Sequence, residues 1–142
     1  MRISAKTDYA VKACAHLASA VPGRYVKADE IARTQAVPLE FLENILRELR
    51  RAGLVEAQRG ADGGYRLARA AAAITVVEVV QAIDSPITEP HAAVVTEASE
   101  GVGTVWRALD GAVLSLLQSV SLADVVAGVW PAEVVQFAGE GV

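Results

Sequence analysis

The chain has 142 residues, of which 53% are hydrophobic, enough for one domain with a core and an accessory helix. No run of about eighteen apolar residues occurs and no apolar segment follows the opening Met1-Arg2-Ile3-Ser4-Ala5-Lys6, so neither a membrane span nor a signal peptide is expected. The single Cys14 excludes an intrachain disulfide and fits a reducing cytoplasm, while the net charge of −4 taken alone argues against a polyanion partner.

The distribution of charge reverses that last inference. Residues 1–69 carry 12 Lys/Arg against 8 Asp/Glu, whereas residues 70–142 carry Arg107 as the one basic residue against 9 Asp/Glu. A basic half and an acidic half imply a polyanion held by the first, with the second turned away.

In chain order, Ser4–Ala20 is predicted as a first helix, with Ala10, Cys14, Leu17 and Val21 on its inner stripe, Ala13 and Ala18 beside them, and Lys6 and Lys12 outside. Pro22-Gly23 ends it. Lys27–Thr34 reads as a short second helix with Asp29 and Glu30 in its first turn, where the helix dipole favours anions, and with Ile31 and Ala32 facing inward. After the tight connection Gln35-Ala36-Val37, Pro38 is expected to start a third helix running to Ala52.

Leu42, Ile45, Leu46 and Leu49 form the buried stripe of that third helix. At about 100° per residue, Glu40, Asn44, Arg47 and Arg51 fall on the opposite face, flanked by Glu43 and Arg50. Two short helices around a tight turn, the second bearing arginines outward, describe a helix-turn-helix. A solvated helix face is the plainer alternative; the tight turn, the arginines and the segment after the helix together favour the groove reading. Leu54–Leu67 reads as a β-hairpin whose loose tip, Arg59-Gly60-Ala61-Asp62-Gly63-Gly64, starts with a cation. Helix then basic hairpin is the arrangement of a winged helix-turn-helix.

Thr75 and Glu78 form a capping box opening a fourth helix, Val76–Ile83, with Ile74 and Val79 spaced as a hydrophobic staple. Ser85–Gly103, with two prolines and two glycines, is expected as a loop. Thr104–Ser119 is predicted as the long helix. Trp106, Leu109, Val113, Leu116 and Val120 make a coiled-coil-like seam suited to a symmetry mate, while Ala112 and Leu117 are placed to pack on their own domain. Ser121 and Asp124 cap a short helix ending at Gly128, and Trp130–Val142 is a tail whose Trp130, Val134, Val135 and Phe137 can dock.

With these motifs placed, the chain resembles the Rrf-type bacterial transcription regulators, the group of IscR, NsrR and CymR. The matching residues are Met1-Arg2-Ile3-Ser4, Tyr9-Ala10-Val11, Ile31-Ala32, Leu42-Glu43 and Leu49-Arg50-Arg51-Ala52-Gly53-Leu54-Val55. They continue with Arg59-Gly60, Gly63-Gly64-Tyr65-Arg66-Leu67-Ala68, Ile74-Thr75-Val76, Ala82-Ile83-Asp84 and, more weakly, Ser121-Leu122-Ala123-Asp124.

The resemblance implies a mainly α fold with a small β-hairpin wing and a long C-terminal dimerisation helix. Its divisions are a DNA-binding domain at 1–84, a loop at 85–103, dimerisation and capping helices at 104–128, and a tail at 129–142. It implies a homodimer on a pseudo-palindromic operator of double-stranded DNA, usually a repressor, with the third helix in the major groove, Arg59 in the minor groove and the 104–119 helix pairing the subunits. Lys6, Lys27, Phe41, Glu43, Asn44, Arg47, Arg50 and Arg59 are the expected DNA-contacting residues. Of these, Asn44, Arg47 and Glu43 suit adenine, guanine and cytosine edges, and Lys6, Lys27 and Arg50 suit phosphates.

Three departures from the family pattern stand out. Cluster-binding members carry three cysteines in the loop before the dimer helix, and residues 85–103 hold none. One thiol per chain is too few for an iron–sulfur cluster, so no cofactor and no metal are expected. Pro38 stands where the family often has a Ser cap, and Asp62 and Glu40 place negative charge near the phosphates. Asp62, Glu40 and the acidic overall charge favour a second class of function, a winged-helix module for protein contacts that has lost DNA binding, whereas Lys6, Lys27, Arg47, Arg50, Arg51 and Arg59 oppose it. An enzyme is not expected, because His16, His91 and Cys14 have no nucleophile–base spacing. The operator and the signal, whether a small molecule or a protein effector, are not written in the chain.

Overall fold

The computed structural model describes residues 3–84 and 100–139. Helix α1, Ala5–Ser19, starts where Ser4 Oγ accepts from Thr7 N–H at 3.1 Å. Its inner face is small: Ala10, Ala13 and Cys14 are completely buried and Leu17 nearly so. Small side chains let α1 serve as the hub on which four of the later helices rest. Helix α2, Ala28–Gln35, and helix α3, Leu39–Arg51, both pack on it. Val21 does not continue the stripe. The helix stops at Ser19, and Val21 is 69% exposed.

The α2–α3 turn is closed by Ala36 in the left-handed region (φ 54), with Val37 N–H donating to the Ala32 carbonyl at 2.9 Å and the Val37 side chain buried. A non-glycine residue there costs about 1 kcal/mol, offset by burying Val37. Pro38 is the residue before α3 rather than its first helical one. Its ψ of 130 is extended and it makes no side-chain cap. Leu42, Ile45, Leu46 and Leu49 are all buried, as their spacing predicts. Each contributes about 1.5–3 kcal/mol of apolar burial.

Strands β1, Val55–Gln58, and β2, Gly64–Leu67, pair antiparallel, Val55 opposite Leu67 and Gln58 opposite Gly64. A third piece of extended chain joins them. Val26 N–H donates to the Tyr65 carbonyl at 2.7 Å, and Tyr65 N–H to the Val26 carbonyl at 2.8 Å. The wing is thereby fastened to the segment that leads into α2. Gly64 makes this possible. Its φ is +144, and a Cβ there would sit 2.4 Å from the Val26 carbonyl oxygen.

A short 3-10 turn, Ala71–Ala73, leads to Thr75, which caps helix α4, Val76–Ile83. The capping box is present: Thr75 N–H donates to Glu78 Oε2 at 2.9 Å. That bond, followed by Arg69 at 2.7 Å, holds the Glu78 carboxyl below its ordinary value. Helix α5, Glu100–Gln118, begins four residues before the expected Thr104, so Gly101 and Gly103 are helical. The remainder of the expected loop, 85–99, lies outside the described residues and includes His91. Helix α6, Leu122–Ala127, has a second capping box from Ser121 and Asp124. The two boxes are spliced back to back: Val76 N–H donates to the Val120 carbonyl at 2.8 Å, and Leu122 N–H to the Ile74 carbonyl at 2.9 Å. Leu122 is completely buried in the same core as α1.

Residues after Trp130 are not merely a tail. Ala132–Ala138 forms helix α7, and Trp130 and Val134 pack on a second cluster of Val76, Val80 and Val120. Val135 and Phe137 stay exposed. Among the described residues no helix is long and apolar enough to cross a membrane.

The start of α1 is tied to the end of α4 through one carboxylate. Asp84 Oδ2 accepts from the buried Thr7 hydroxyl and, at 2.8 Å, from Ser4 Oγ. Thr7 first, then Ser4, holds the Asp84 carboxyl below its ordinary value. A lowered folded value means the stabilisation is present above the unfolded carboxylate pKa of about 3.9 and is lost as pH falls through the folded one. Asp84→Asn should therefore destabilise by about 1 kcal/mol at neutral pH, solvent screening allowed for. The difference between the two thermal melting curves should close as pH is lowered below about 4. A gap independent of pH would show that the charge is not what matters.

Candidate nucleic-acid interface

The outer face of α3 is the surface that its sequence period marks. Glu40, Asn44, Arg47 and Arg51 lie there, with Phe41 on one flank and Glu43 and Arg50 on the other. Arg47 Nη1 donates to Asn44 Oδ1 at 3.1 Å, which aligns the two side chains one turn apart. Asn44 keeps its amide N–H groups and a second lone pair for other partners.

A groove of about 710 Å³ runs between α1 and α3 beside this face. Lys6 and Tyr9 from α1 line it, together with Phe41, Asn44, Arg47, Glu48 and Arg51 from α3. Four of the expected contact residues, Lys6, Phe41, Asn44 and Arg47, therefore converge. Lys6 is already paired: its Nζ lies 2.8 Å from Glu48 Oε1. Its role as a phosphate contact would require breaking or sharing that pair. Arg50 is elsewhere, lining a shallow depression with Tyr25 and Glu56. Arg51 joins the groove although it is not among the expected contacts. The periodicity that marks Arg47 also marks Arg51, one turn further along the same face.

The wing carries the next group. Arg59 at the tip is exposed and has no charge or hydrogen-bond partner among the described residues. Lys27, at the N-cap position of α2, reaches across and donates from Nζ to the Gly60 carbonyl at 2.7 Å. This contact is not legible in the sequence. Lys27 braces the tip and leaves other ammonium protons free for an anion. Arg66 holds the base of the wing by three contacts: Glu56 Oε2 at 2.9 Å, the Gly23 carbonyl at 3.4 Å, and the Tyr25 ring 4.5 Å away. Elsewhere, His16 Nε2 lies 3.2 Å from Glu30 Oε2 and its Nδ1 lies 3.4 Å from Gln35 Nε2. The His16 bond, with Arg24 next, keeps the Glu30 carboxyl below its ordinary value. His16 is thus engaged in joining α1 to α2.

On α5, Val102, Val105, Trp106 and Leu109 are exposed, and Val113 and Leu116 are half-buried. Two positions differ from expectation. Val120 lies beyond the helix and is buried in its own chain against Val76 and Val80, so it cannot extend the seam. Ala112 is exposed, whereas Leu117 does pack on its own domain.

Among the described residues the side chains do not make a donor set suited to iron. Cys14 is the chain's one cysteine; it is completely buried, and burial pushes its thiol up to about 12, which disfavours the thiolate that a metal needs. Among the described residues no group of three or more His, Cys, Asp or Glu side chains is placed to hold a metal ion.

Comparison with known proteins gives this geometry a family. The Rrf2 model, described as an iron-dependent transcriptional regulator, matches residues 3–128. A Mycobacterium tuberculosis protein assigned to the HTH-type transcriptional regulators is 39% identical over 149 aligned positions, covering 99% of this chain and 90% of that protein. The HTH-type transcriptional regulator IscR of Cereibacter sphaeroides is 35% identical over 137 positions, covering 89% and 87%. The solved structure of CymR, the global cysteine regulator of B. subtilis, superposes with a TM-score of 0.79 at 31% identity over 90% of this chain and 98% of that one. A winged helix-turn-helix matched along nearly its whole length by such relatives is not an enzyme; the chain belongs to the Rrf2 family of transcriptional regulators.

Proposed function

We propose that the protein binds a pseudo-palindromic operator as a homodimer, with α3 in the major groove and Arg59 of the wing in the adjacent minor groove. The observation that carries this is the pairing of an outward Asn44–Arg47 face with a wing tip that Lys27 braces and that begins at an exposed arginine. Asn44 reads adenine and Arg47 reads guanine, each worth ~1–3 kcal/mol of discrimination, and Glu43 accepts from cytosine. Lys27 and Arg50 hold phosphates. Arg59 suits a narrow minor groove, where negative potential attracts a guanidinium. A dimer lying across both grooves of a promoter occludes it, so the simplest action is repression, in the cytoplasm. A second reading, an interaction module without DNA binding, is favoured by the exposed Glu40 and Asp62 on the same surfaces.

The test is a salt titration on selected and random duplexes. Arg47→Ala should blur sequence preference, and Lys27→Ala should weaken all sequences alike and flatten the salt dependence by about one unit. Arg59→Ala should weaken A·T-flanked sites most. Equal losses for all three on both DNAs would refute the division of roles, and an unchanged affinity in all three would favour the interaction module.

We further infer that α5 joins the two subunits through Val102, Val105, Trp106, Leu109 and the half-buried Val113 and Leu116. The support is the exposure of Val102, Val105 and Leu109 along one face of the helix. Leu109→Asp, at an exposed position, should keep the helical circular dichroism while the mass by light scattering halves. A variant that stays dimeric places the interface elsewhere.

Regulation without an iron–sulfur cluster is the third part of the proposal, supported by one buried, high-pKa thiol per chain. Protein purified anaerobically should lack stoichiometric iron and a cluster-like absorption band. Finding both would refute it.

A further inference from the structure

Phe41 is 61% exposed on the flank of α3 that faces the α1 groove, in the first turn of the helix. Leu39, two residues before it, is 42% exposed. Neither gains from folding what the buried Leu42, Ile45, Leu46 and Leu49 gain. An aromatic ring left in water next to Asn44 and Arg47 gains apolar burial only where something apolar covers it when the helix is in use.

The groove wall beside Phe41 narrows what that something is. Lys6 is paired with Glu48 at 2.8 Å, so drawing in a phosphate on this flank would mean sharing or breaking that pair. Ala5 and Tyr9 also line the groove and add apolar surface. The N-terminal end of a recognition helix is the part that reaches base edges, and the apolar group displayed in the major groove is the thymine C5 methyl. Phe41 and Asn44 are three residues apart, an advance of about 4.5 Å along the helix. Neighbouring base pairs are about 3.4 Å apart, so side chains with this separation can reach adjacent pairs when the helix lies along the groove.

We propose that Phe41 is a specificity-determining residue that reads the C5 methyl of a thymine in the base pair next to the one read by Asn44. This rests on the DNA-binding reading above. It adds a sequence requirement that no charged residue can supply, a thymine recognised by shape and apolar contact rather than by hydrogen bonds.

The experiment uses the full chain and a duplex selected by the wild-type protein from random DNA. Each thymine is replaced in turn by deoxyuridine, which removes only the methyl group and keeps the pairing and hydrogen-bond edges. One position per half-site should weaken wild-type binding about fourfold, the worth of one buried methyl-sized group. Phe41→Ala should bind the thymine duplex more weakly than wild type and be indifferent to deoxyuridine at that position, while Phe41→Leu should retain part of the sensitivity. Indifference of the wild type to every replacement overturns the assignment, as does full sensitivity in Phe41→Ala. If the wild type selects no sequence at all, the DNA-binding reading itself fails and this inference with it. A selected site without methyl dependence removes the Phe41 assignment alone.

Discussion

Two backbone hydrogen bonds between Val26 and Tyr65 fix the wing against the start of α2, and the proposed reading of both grooves depends on that spacing. A two-stranded hairpin is marginal by itself. Here a third extended residue pairs with β2, and the contact is close enough that Gly64 cannot carry a side chain. Lys27, the next residue along, then reaches the Gly60 carbonyl at the tip. The placement of the wing tip against the start of α2 is set by this short run of backbone and the Lys27 brace. A surface that addresses two grooves at once needs such a fixed spacing, and the Val26–Tyr65 bonds supply it with neutral groups that salt does not screen.

A second splice does the same for the C-terminal half. The Thr75 and Ser121 capping boxes sit side by side, exchanging backbone bonds through Val76, Val120, Ile74 and Leu122. Each box satisfies the free N–H groups at the start of a helix that would otherwise be lost to burial. Their pairing returns the chain to the α1 core after α5, so that α5 is anchored at its C-terminal end and presents Val105, Trp106 and Leu109 outward. Most of the acidic excess belongs to this half of the chain, while the arginines of α3 belong to the other.

The element types and their order were legible because they are local. The helical period placed Leu42, Ile45, Leu46 and Leu49 inside and Asn44, Arg47 and Arg51 outside, and burial follows that period closely. Capping boxes are written within four residues, so both were visible. Where the local signal was weak the boundaries moved. Gly101 and Gly103 argue against a helix by propensity, yet α5 begins at Glu100. The helix at Ala132–Ala138 was hidden in a stretch too short to show a period.

What the sequence by itself determined, then, is each main element's type, its inward stripe, the basic character of the first half and the scarcity of thiols. What only the tertiary structure decided is which side chains remain available. Lys6 is joined to Glu48 forty-two positions away, Lys27 to Gly60 thirty-three away, and Val120 is claimed by Val76 and Val80 of its own chain. Spacing along a chain orders residues on one helix or strand. It carries no information on which side chain of another element arrives within 3 Å, because that depends on how the buried faces pack and on the close approaches that alanine and glycine permit.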